Sequence, residues 1–372
     1  MFKEIFLSGL CLCATSYADT NAPQPICETT TCESISLVGG ASYYDLGKFN
    51  STIWDYIYWD NDKGYSVINT DMMDKFFESI CAELKSVQID QVYLSFAQLS
   101  CLDAYYHNDF ESYPISTNDI IATQMKVFKD AQNAGTMDPE FNYLKMLVDG
   151  FHKYGIKVNL SFGGGNAAAA EYTLTEHSAS KLASFLDNYG IDGIDFDIEV
   201  VLAEGVVDQL KTFFSYLGKK RQLTITVMMG IQDWPEGCLK DLFDDFGHLF
   251  DGVNLMAYSD TTYYLDAVNV TWGFTSWIDI IGKNNAHKIC IGFFDQVPYE
   301  APDDRSERGE KAAGAYLKLV SDLQSLHYPT NFRAPFWWPA EEASYNHYTH
   351  AKDGSVTFIS ADQDNFYQAL GQ

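Results

Sequence analysis

Short apolar runs alternate with amphipathic stretches along most of the chain. Apolar residues spaced three and four apart, as expected for helices, occur in segments such as 71–87, 140–155, 178–190 and 313–326. The apolar runs are rich in β-branched and aromatic residues, which is typical of buried strands. They are ISLVGGA, QVYLSFAQL, IKVNLSFGGG, IDGIDFDIEV, LTITVMMG, FDGVNLMAY, KICIGFF and NFRAPFWW, beginning at residues 35, 91, 156, 191, 223, 250, 288 and 331.

Eight predicted strands that alternate with helices, each strand apolar nearly throughout, indicate a parallel sheet buried on both faces. We therefore predict an α/β fold, a single (β/α)₈ TIM barrel over residues 19–372, with a doubly wound open sheet as the alternative. The longest insertions follow the first two predicted strands and are rich in Trp and Tyr. In a barrel, these loops lie on the catalytic rim.

The first residues of the chain have the pattern of a secretion signal. An apolar run at 5–14 precedes small residues at 16–18, and it is too short to span a bilayer. We predict that residues 1–18 are removed and that the protein is secreted. Disulfides are then possible, and Cys27 and Cys32 are the best candidate pair.

The charge balance limits the partners. The chain has 24 Lys and Arg against 51 Asp and Glu, a net charge of -27, which argues against nucleic acid and anionic membranes. No Cys/His spacing typical of zinc occurs. Asp60, Asp62 and Gly64 faintly resemble a calcium loop, but we interpret them as a turn. We expect no metal, no cofactor and a monomer.

The segment DGIDFDIE, residues 192–199, carries the strongest chemical signal. Asp195, Asp197 and Glu199 occupy alternate positions of a predicted strand, so their side chains project to one side. We call these three residues the carboxylate ladder. Three acids that point into a barrel repel one another and lose hydration, and such destabilising arrangements are expected mainly at functional sites.

Three interpretations of the carboxylate ladder are possible. The strand could be an exposed edge with a solvated acidic face, although the apolar strands on both sides argue against this. The acids could bind a divalent cation, but further oxygen ligands are not evident. The third interpretation is a proton shared along the ladder, which Glu199 delivers to a leaving oxygen. We favour the third.

These residues resemble glycoside hydrolase family 18, which contains chitinases and endo-β-N-acetylglucosaminidases. DGIDFDIE matches the DxxDxDxE signature of that family at each fixed position. Residues 161–164, SFGG, match its SxGG motif, and residues 256–258, MAY, match its MxY motif. Three motifs in order on the third, fourth and sixth predicted strands make the resemblance specific.

The resemblance implies catalytic roles for four residues. Glu199 is the general acid and then the general base, while Asp197 binds the acetamido N–H of the sugar. Asp195 helps to hold the proton within the ladder, and Tyr258 orients the acetamido oxygen.

The resemblance also implies a set of residues that line the sugar site. In that family, a Trp on the eighth strand forms the floor of the sugar subsite and commonly precedes a cis peptide bond. Pro339 lowers the cost of a cis bond after Trp338, so we favour Trp338 over Trp337. For Asp192 we consider support of the turn into the strand more plausible than contact with sugar. The residues assigned to substrate binding are Trp338, Trp337, Met256, Ser161, Gly163 and Asp192.

The family implies retaining hydrolysis in which the substrate's own acetamido group is the nucleophile. Only 37 residues, 295–331, separate the seventh and eighth predicted strands, which excludes the large insertion that deepens the cleft in many chitinases. We therefore expect an endo-chitinase that cleaves β-1,4-linked N-acetylglucosamine in an open groove. The alternatives are an endo-β-N-acetylglucosaminidase that acts on the chitobiose core of N-glycans, and a chitin-binding lectin on the same fold.

Overall fold

The computed structural model describes the greater part of the chain between residues 40 and 338. The predicted signal peptide, the Cys27–Cys32 pair and Tyr258 lie outside the described residues. The described ranges are 40–45, 53–86, 89–164, 176–199, 204–217, 221–228, 243–244, 247–257, 267–294, 305–325 and 336–338.

Ten strands occur in the described residues, and eight of them form the barrel. The other two form an antiparallel hairpin. The barrel strands are β1 (Gly40–Asp45), β4 (Ile89–Ala97), β5 (Lys157–Gly163), β6 (Gly193–Ile198), β7 (Gln222–Met228), β8 (Gly252–Met256), β9 (Ile289–Phe294) and β10 (Phe336–Trp338), and the hairpin strands are β2 (Ile57–Asp60) and β3 (Tyr65–Ile68).

The α-helices alternate with the barrel strands, as the sequence predicts. Within the described ranges, none of them combines the length and the apolar character needed to cross a bilayer. The helices are α1 (Thr70–Ser86), α2 (Leu102–His107), α3 (Ile120–Asn133), α4 (Tyr143–Lys153), α5 (Glu176–Tyr189), α6 (Glu204–Leu217), α7 (Ala267–Ile281) and α8 (Arg305–Ser325).

The eight barrel strands are parallel and close in the order β1-β10-β9-β8-β7-β6-β5-β4. This confirms the predicted (β/α)₈ barrel and excludes the open sheet. Between β9 and β10, the described residues form only helix α8, in agreement with the absence of a large insertion there.

The two faces of β6 are both buried, as predicted, but they differ in chemistry. In β6 and β7, the Ile, Phe, Leu and Val side chains alternate with buried Asp and Thr. The apolar set packs toward the helices; for example, Phe196 contacts the rings of Phe213 and Phe214 on α6. The polar set lies inside the barrel, where Gln91, Asn159 and Gln222 form a hydrogen-bonded layer. The apolar core is therefore the layer between strands and helices.

The insertions after β1 and β4 pack against each other. Trp54 stacks on Phe128 of α3, with ring centroids 4.6 Å apart. Ser66 of β3 forms two backbone hydrogen bonds with the insertion after β4. Its N–H donates to the Thr136 carbonyl, and its carbonyl accepts from the Asp138 N–H. The carboxylate of Asp60 accepts from backbone N–H groups of the β2–β3 turn, which agrees with its interpretation as a turn residue.

Gly193, at the start of β6, provides a test of the close packing inside the barrel. A Cβ atom at this position would lie 2.4 Å from the Gln222 carbonyl oxygen and 2.6 Å from Asn159 Oδ1. Because the first neighbour is backbone of an adjacent strand, Gly193→Ala should lower the free energy of unfolding by about 1–3 kcal/mol. Urea unfolding of the purified variant measures this change.

The matched control is Gly314→Ala in helix α8, where nothing lies within 4 Å of the added Cβ. This change should leave the stability equal or raise it by up to about 1 kcal/mol, because Ala has the higher helix propensity. Equal stabilities of the two variants would contradict the packing inferred around Gly193.

Candidate active site

The carboxylate ladder lies on β6, in the interior of the barrel. Asp195 and Asp197 are both buried, and Glu199 follows the end of the strand and is half-buried. Because β6 is bonded to β5 on one side and β7 on the other, it is a central strand, and its interpretation as an exposed edge is excluded. Glu199 therefore stands at the carboxyl end of the strands, where barrel enzymes have their active sites.

Asp195 is surrounded by hydrogen-bond donors from three neighbouring strands. Ser161 Oγ donates to its Oδ2 at 2.9 Å, and Thr224 Oγ1 donates to its Oδ1 at 2.7 Å. Thr226 Oγ1 lies 2.9 and 3.0 Å from the two oxygens, and Asn254 Nδ2 lies 3.4 Å from Oδ1. This set of donors suits an ionised carboxylate, which can only accept.

The two threonines and the asparagine are functional residues that the sequence reasoning missed. Thr224 and Thr226 are alternate residues of β7, and Asn254 lies on β8, so all three point inward. Asn254 Nδ2 also donates to Thr226 Oγ1 at 3.1 Å, which fixes the hydroxyl that faces Asp195. The signal was present in the sequence, because Thr224 and Thr226 alternate with apolar residues in one run and Asn254 interrupts the other.

Asp197 has a strongly perturbed acidity. Burial is the largest cause, and the negative charges of Glu199 and then Asp195 add to it; together they raise the pKa of Asp197 well above its usual range. The protonated form of Asp197 is therefore favoured in the folded protein. The delivery of a proton by Glu199 stays a prediction.

The predicted SxGG segment lies beside the ladder. Ser161 and Gly163 pair in parallel register with Asp195 and Asp197. Gly163 and Gly164 have φ values of 115° and 87°, which residues with a side chain rarely adopt, and the Gly164 N–H donates to the Asp197 carbonyl at 3.0 Å. A Cβ at Gly164 would also come within 2.8 Å of the Phe96 ring. Both glycines are thus required by backbone conformation and close approach.

The structure separates Asp192 from the rest of the predicted site. Asp192 precedes β6 at the amino end of the strand, opposite to Glu199. Its Oδ2 accepts from the backbone N–H of Val158 at 2.8 Å and lies 2.7 Å from His152 Nε2. Asp192 therefore supports the turn into the strand, and its assignment to substrate binding is corrected.

The remaining predicted site residues are only partly described. Met256 is the last residue of β8, is buried, and pairs with Gly292 of β9. Trp337 and Trp338 belong to β10, and Trp337 pairs with Ser42 of β1. The side chains of Trp337 and Trp338 and the whole of Tyr258 lie outside the described part of the structure. The roles of Trp337, Trp338 and Tyr258 therefore stay predictions.

The chemistry that this arrangement supports is proton transfer at the carboxyl end of the barrel. The described residues contain no group of three His, Cys, Asp or Glu side chains placed to hold a metal ion. The oxygens of Asp195 instead contact hydroxyl and amide donors, which occupy the positions that a cation would need. The ladder thus offers one fixed carboxylate, one buried acid and one half-buried terminal acid.

A model of one protein family matches most of the chain. The family model described as glycosyl hydrolases family 18 matches residues 56–367, a range that contains all three motifs. No curated protein sequence matches the chain.

Among solved structures, a chitinase from Pseudoalteromonas aurantia shares the fold at 13% identity and a TM-score of 0.51, covering 89% of this chain and 100% of that one. An endo-β-N-acetylglucosaminidase from Cordyceps militaris is 13% identical, covers 92% of this chain and 96% of its own, and has a TM-score of 0.46. The catalytic domain of a chitinase from Pyrococcus furiosus is 14% identical, with coverages of 91% and 96% and a TM-score of 0.47.

The raised pKa of Asp197 predicts a measurable effect on stability. Because the folded state holds the Asp197 proton more tightly than the unfolded state, the free energy of unfolding falls as pH rises above the unfolded pKa of about 3.9. Asp197→Asn removes this loss. At pH 7, the variant should be more stable than wild type, with a smaller difference near pH 4.

Chemical unfolding at the two pH values checks this prediction, with Asp208→Asn as the control. Asp208 is an exposed carboxylate on α6, so its replacement should change stability by less than about 0.5 kcal/mol. A gain for Asp197→Asn that is as large at pH 4 as at pH 7 would refute the assigned protonation.

Proposed function

Because this chain belongs to glycosyl hydrolase family 18 and is a glycoside hydrolase, we propose that it is a retaining endo-chitinase that cleaves β-1,4-linked N-acetylglucosamine. The observation that carries the proposal is the intact carboxylate ladder inside the barrel, with a fixed Asp195, a buried Asp197 whose pKa is raised, and a terminal Glu199. A lectin on the same fold has no need for the terminal acid, so its presence favours catalysis.

Glu199 is the general acid in this proposal. It donates its proton to the glycosidic oxygen as the bond between that oxygen and the anomeric carbon breaks. The 2-acetamido oxygen of the same sugar attacks the anomeric carbon and forms a cyclic oxazolinium ion. Water then attacks the anomeric carbon as the bond from that carbon to the acetamido oxygen breaks. Glu199 takes a proton from the water, and the product retains the original configuration.

The arrangement of the acids supports substrate assistance. Retaining glycosidases with a carboxylate nucleophile place their two carboxyl groups about 5–5.5 Å apart across the scissile bond. Here all three acids follow one another on a single strand, so they approach the sugar from the same side. A ladder of this kind supplies an acid and a charge stabiliser, while the nucleophile comes from the substrate.

Asp197 and Asp195 have separate tasks in this mechanism. Asp197 accepts a hydrogen bond from the acetamido N–H of the substrate. Once its proton has moved within the ladder, its carboxylate offsets the positive charge that develops on the oxazolinium ring. Asp195 stays fixed by its donors and influences the proton distribution through its charge, since it contributes to the raised pKa of Asp197. Tyr258 is proposed to orient the acetamido oxygen.

We also propose that the protein is exported after removal of residues 1–18. The apolar run at 5–14 and the small residues at 16–18 support this. Amino-terminal sequencing of protein recovered from the culture medium of an expression host should begin at Asp19. An amino terminus that still contains the first residues would contradict the proposal.

Replacement of the terminal acid tests the catalytic assignment. Glu199→Gln keeps the shape of the side chain but removes its acid and base functions, so kcat on N-acetylglucosamine oligomers should fall by roughly 10²–10⁴-fold. Asp192→Asn, at the opposite end of the strand, should retain catalysis in the folded fraction. Undiminished hydrolysis by Glu199→Gln would overturn the assignment.

The identity of the substrate is tested by a set of glycans assayed in parallel. Chitin hexamers should be cleaved internally, and NMR of the first product should show the β-anomer. Cellohexaose, which lacks the N-acetyl arm, should not be cleaved, because it carries no internal nucleophile. Release of high-mannose glycans from a glycoprotein, without cleavage of chitin hexamers, would instead identify an endo-β-N-acetylglucosaminidase.

A further inference from the structure

One peptide unit beside the carboxylate ladder is fixed at both of its polar groups. This unit joins Gly163 to Gly164. Its N–H, which belongs to Gly164, donates to the Asp197 carbonyl at 3.0 Å, while its C=O, which belongs to Gly163, accepts from Gln98 Nε2 at 2.9 Å. The Gln98 side chain and the Asp197 backbone therefore hold opposite sides of the same plane.

Gln98 is itself fixed by a buried carboxylate from the insertion after β4. Its backbone N–H donates to Asp119 Oδ2 at 2.7 Å. The other oxygen of Asp119 accepts from the Tyr105 hydroxyl at 2.5 Å and from the Ala122 N–H at 2.7 Å, which caps helix α3. All of Gln98, Asp119 and Tyr105 are buried, so the network is shielded from solvent.

The network includes an energetic cost, the complete burial of the Asp119 carboxyl group. Burial raises the pKa of Asp119 to about 6, which shows that the site resists the ionised form despite the hydrogen bonds that favour it. Strained or costly polar groups of this kind are concentrated where function requires a defined geometry.

We propose that Gln98 is a positioning residue for catalysis: its side-chain amide clamps the Gly163–Gly164 peptide and thereby holds the backbone of Asp197, while Asp119 anchors the clamp to the insertion. The inference rests on the proposed hydrolysis for its kinetic readout. Its structural content, the fixed peptide, can be measured independently of any substrate.

The glycines explain why a clamp is needed. Neither Gly163 nor Gly164 has a Cβ to restrict its dihedral angles, so the peptide between them can rotate at little steric cost. Rotation would break the bond from the Gly164 N–H to Asp197, two residues before Glu199. An error of about 1 Å in a catalytic group can cost on the order of a hundredfold in rate.

The experiment compares two substitutions at Gln98 with a matched control. Gln98→Met keeps the length of the side chain and removes its donor. Gln98→Glu introduces a carboxyl group that can donate to the Gly163 carbonyl only when it is protonated. The control is Gln132→Met in helix α3, which removes a glutamine amide that donates to the Asp138 and Phe141 carbonyls at 2.8 and 2.7 Å, in the same insertion but away from the ladder.

The expected results separate positioning from general stability. Gln98→Met should lower kcat by about ten- to a hundredfold at every pH, with a smaller change in KM. The activity of Gln98→Glu relative to wild type should rise as pH falls, because protonation restores the donor. Gln132→Met should lower the melting temperature and leave kcat unchanged. Hydrogen exchange at the Gly164 amide should accelerate in Gln98→Met but not in Gln132→Met.

A wild-type kcat for folded Gln98→Met, or unchanged protection of the Gly164 amide, would overturn the proposal. A pH-independent defect in Gln98→Glu would also count against it. If the wild-type protein hydrolyses none of the N-acetylglucosamine substrates, the proposed function fails. The exchange rate of the Gly164 amide proton then tests by itself whether the Gln98 side chain fixes the Gly163–Gly164 peptide.

Discussion

The structure depends on one costly interaction, the burial of Asp195 in the middle of a closed barrel. A carboxylate removed from water is strongly destabilising unless donors replace its hydration. The chain supplies these donors from three strands, through the hydroxyl groups of Ser161, Thr224 and Thr226 and the side-chain amide of Asn254. The need to satisfy this carboxylate accounts for the polar inner face of β5, β7 and β8, where TIM barrels usually have branched apolar residues.

The same burial also sets the acidity of Asp197. Desolvation is the largest cause, the charge of Glu199 the second and the charge of Asp195 the third, and all three raise the pKa of Asp197. Glu199 lies beyond the end of β6, where the half-buried position allows a substrate to approach. The order along the strand, from fixed charge through buried acid to accessible acid, follows the increase in exposure toward the carboxyl end.

The sequence predicts the barrel and the ladder well, because both are encoded in local patterns. The alternation of Asp195, Asp197 and Glu199 requires only the twofold repeat of a strand, and the helices between strands have clear apolar spacing. For Asp192, part of the same signature, the sequence already favours support of the turn over contact with sugar, and its contacts with Val158 and His152 agree with this. Gln98 and Asp119 could not be predicted as partners of the site, because Gln98 meets Gly163 across 65 positions of the chain and no local pattern specifies that encounter.

The division of the barrel into a polar interior and an apolar outer layer has a consequence for how this protein can change. Cohesion of the fold resides mainly in the outer layer, in contacts such as those of Phe196 with the rings of α6. Inner residues are then relatively free to vary in chemistry, provided that each exchange keeps hydrogen-bond donors matched to acceptors. A change in the reactivity of this protein therefore requires substitutions in the hydrogen-bond network inside the barrel. The apolar layer between strands and helices can be left unchanged.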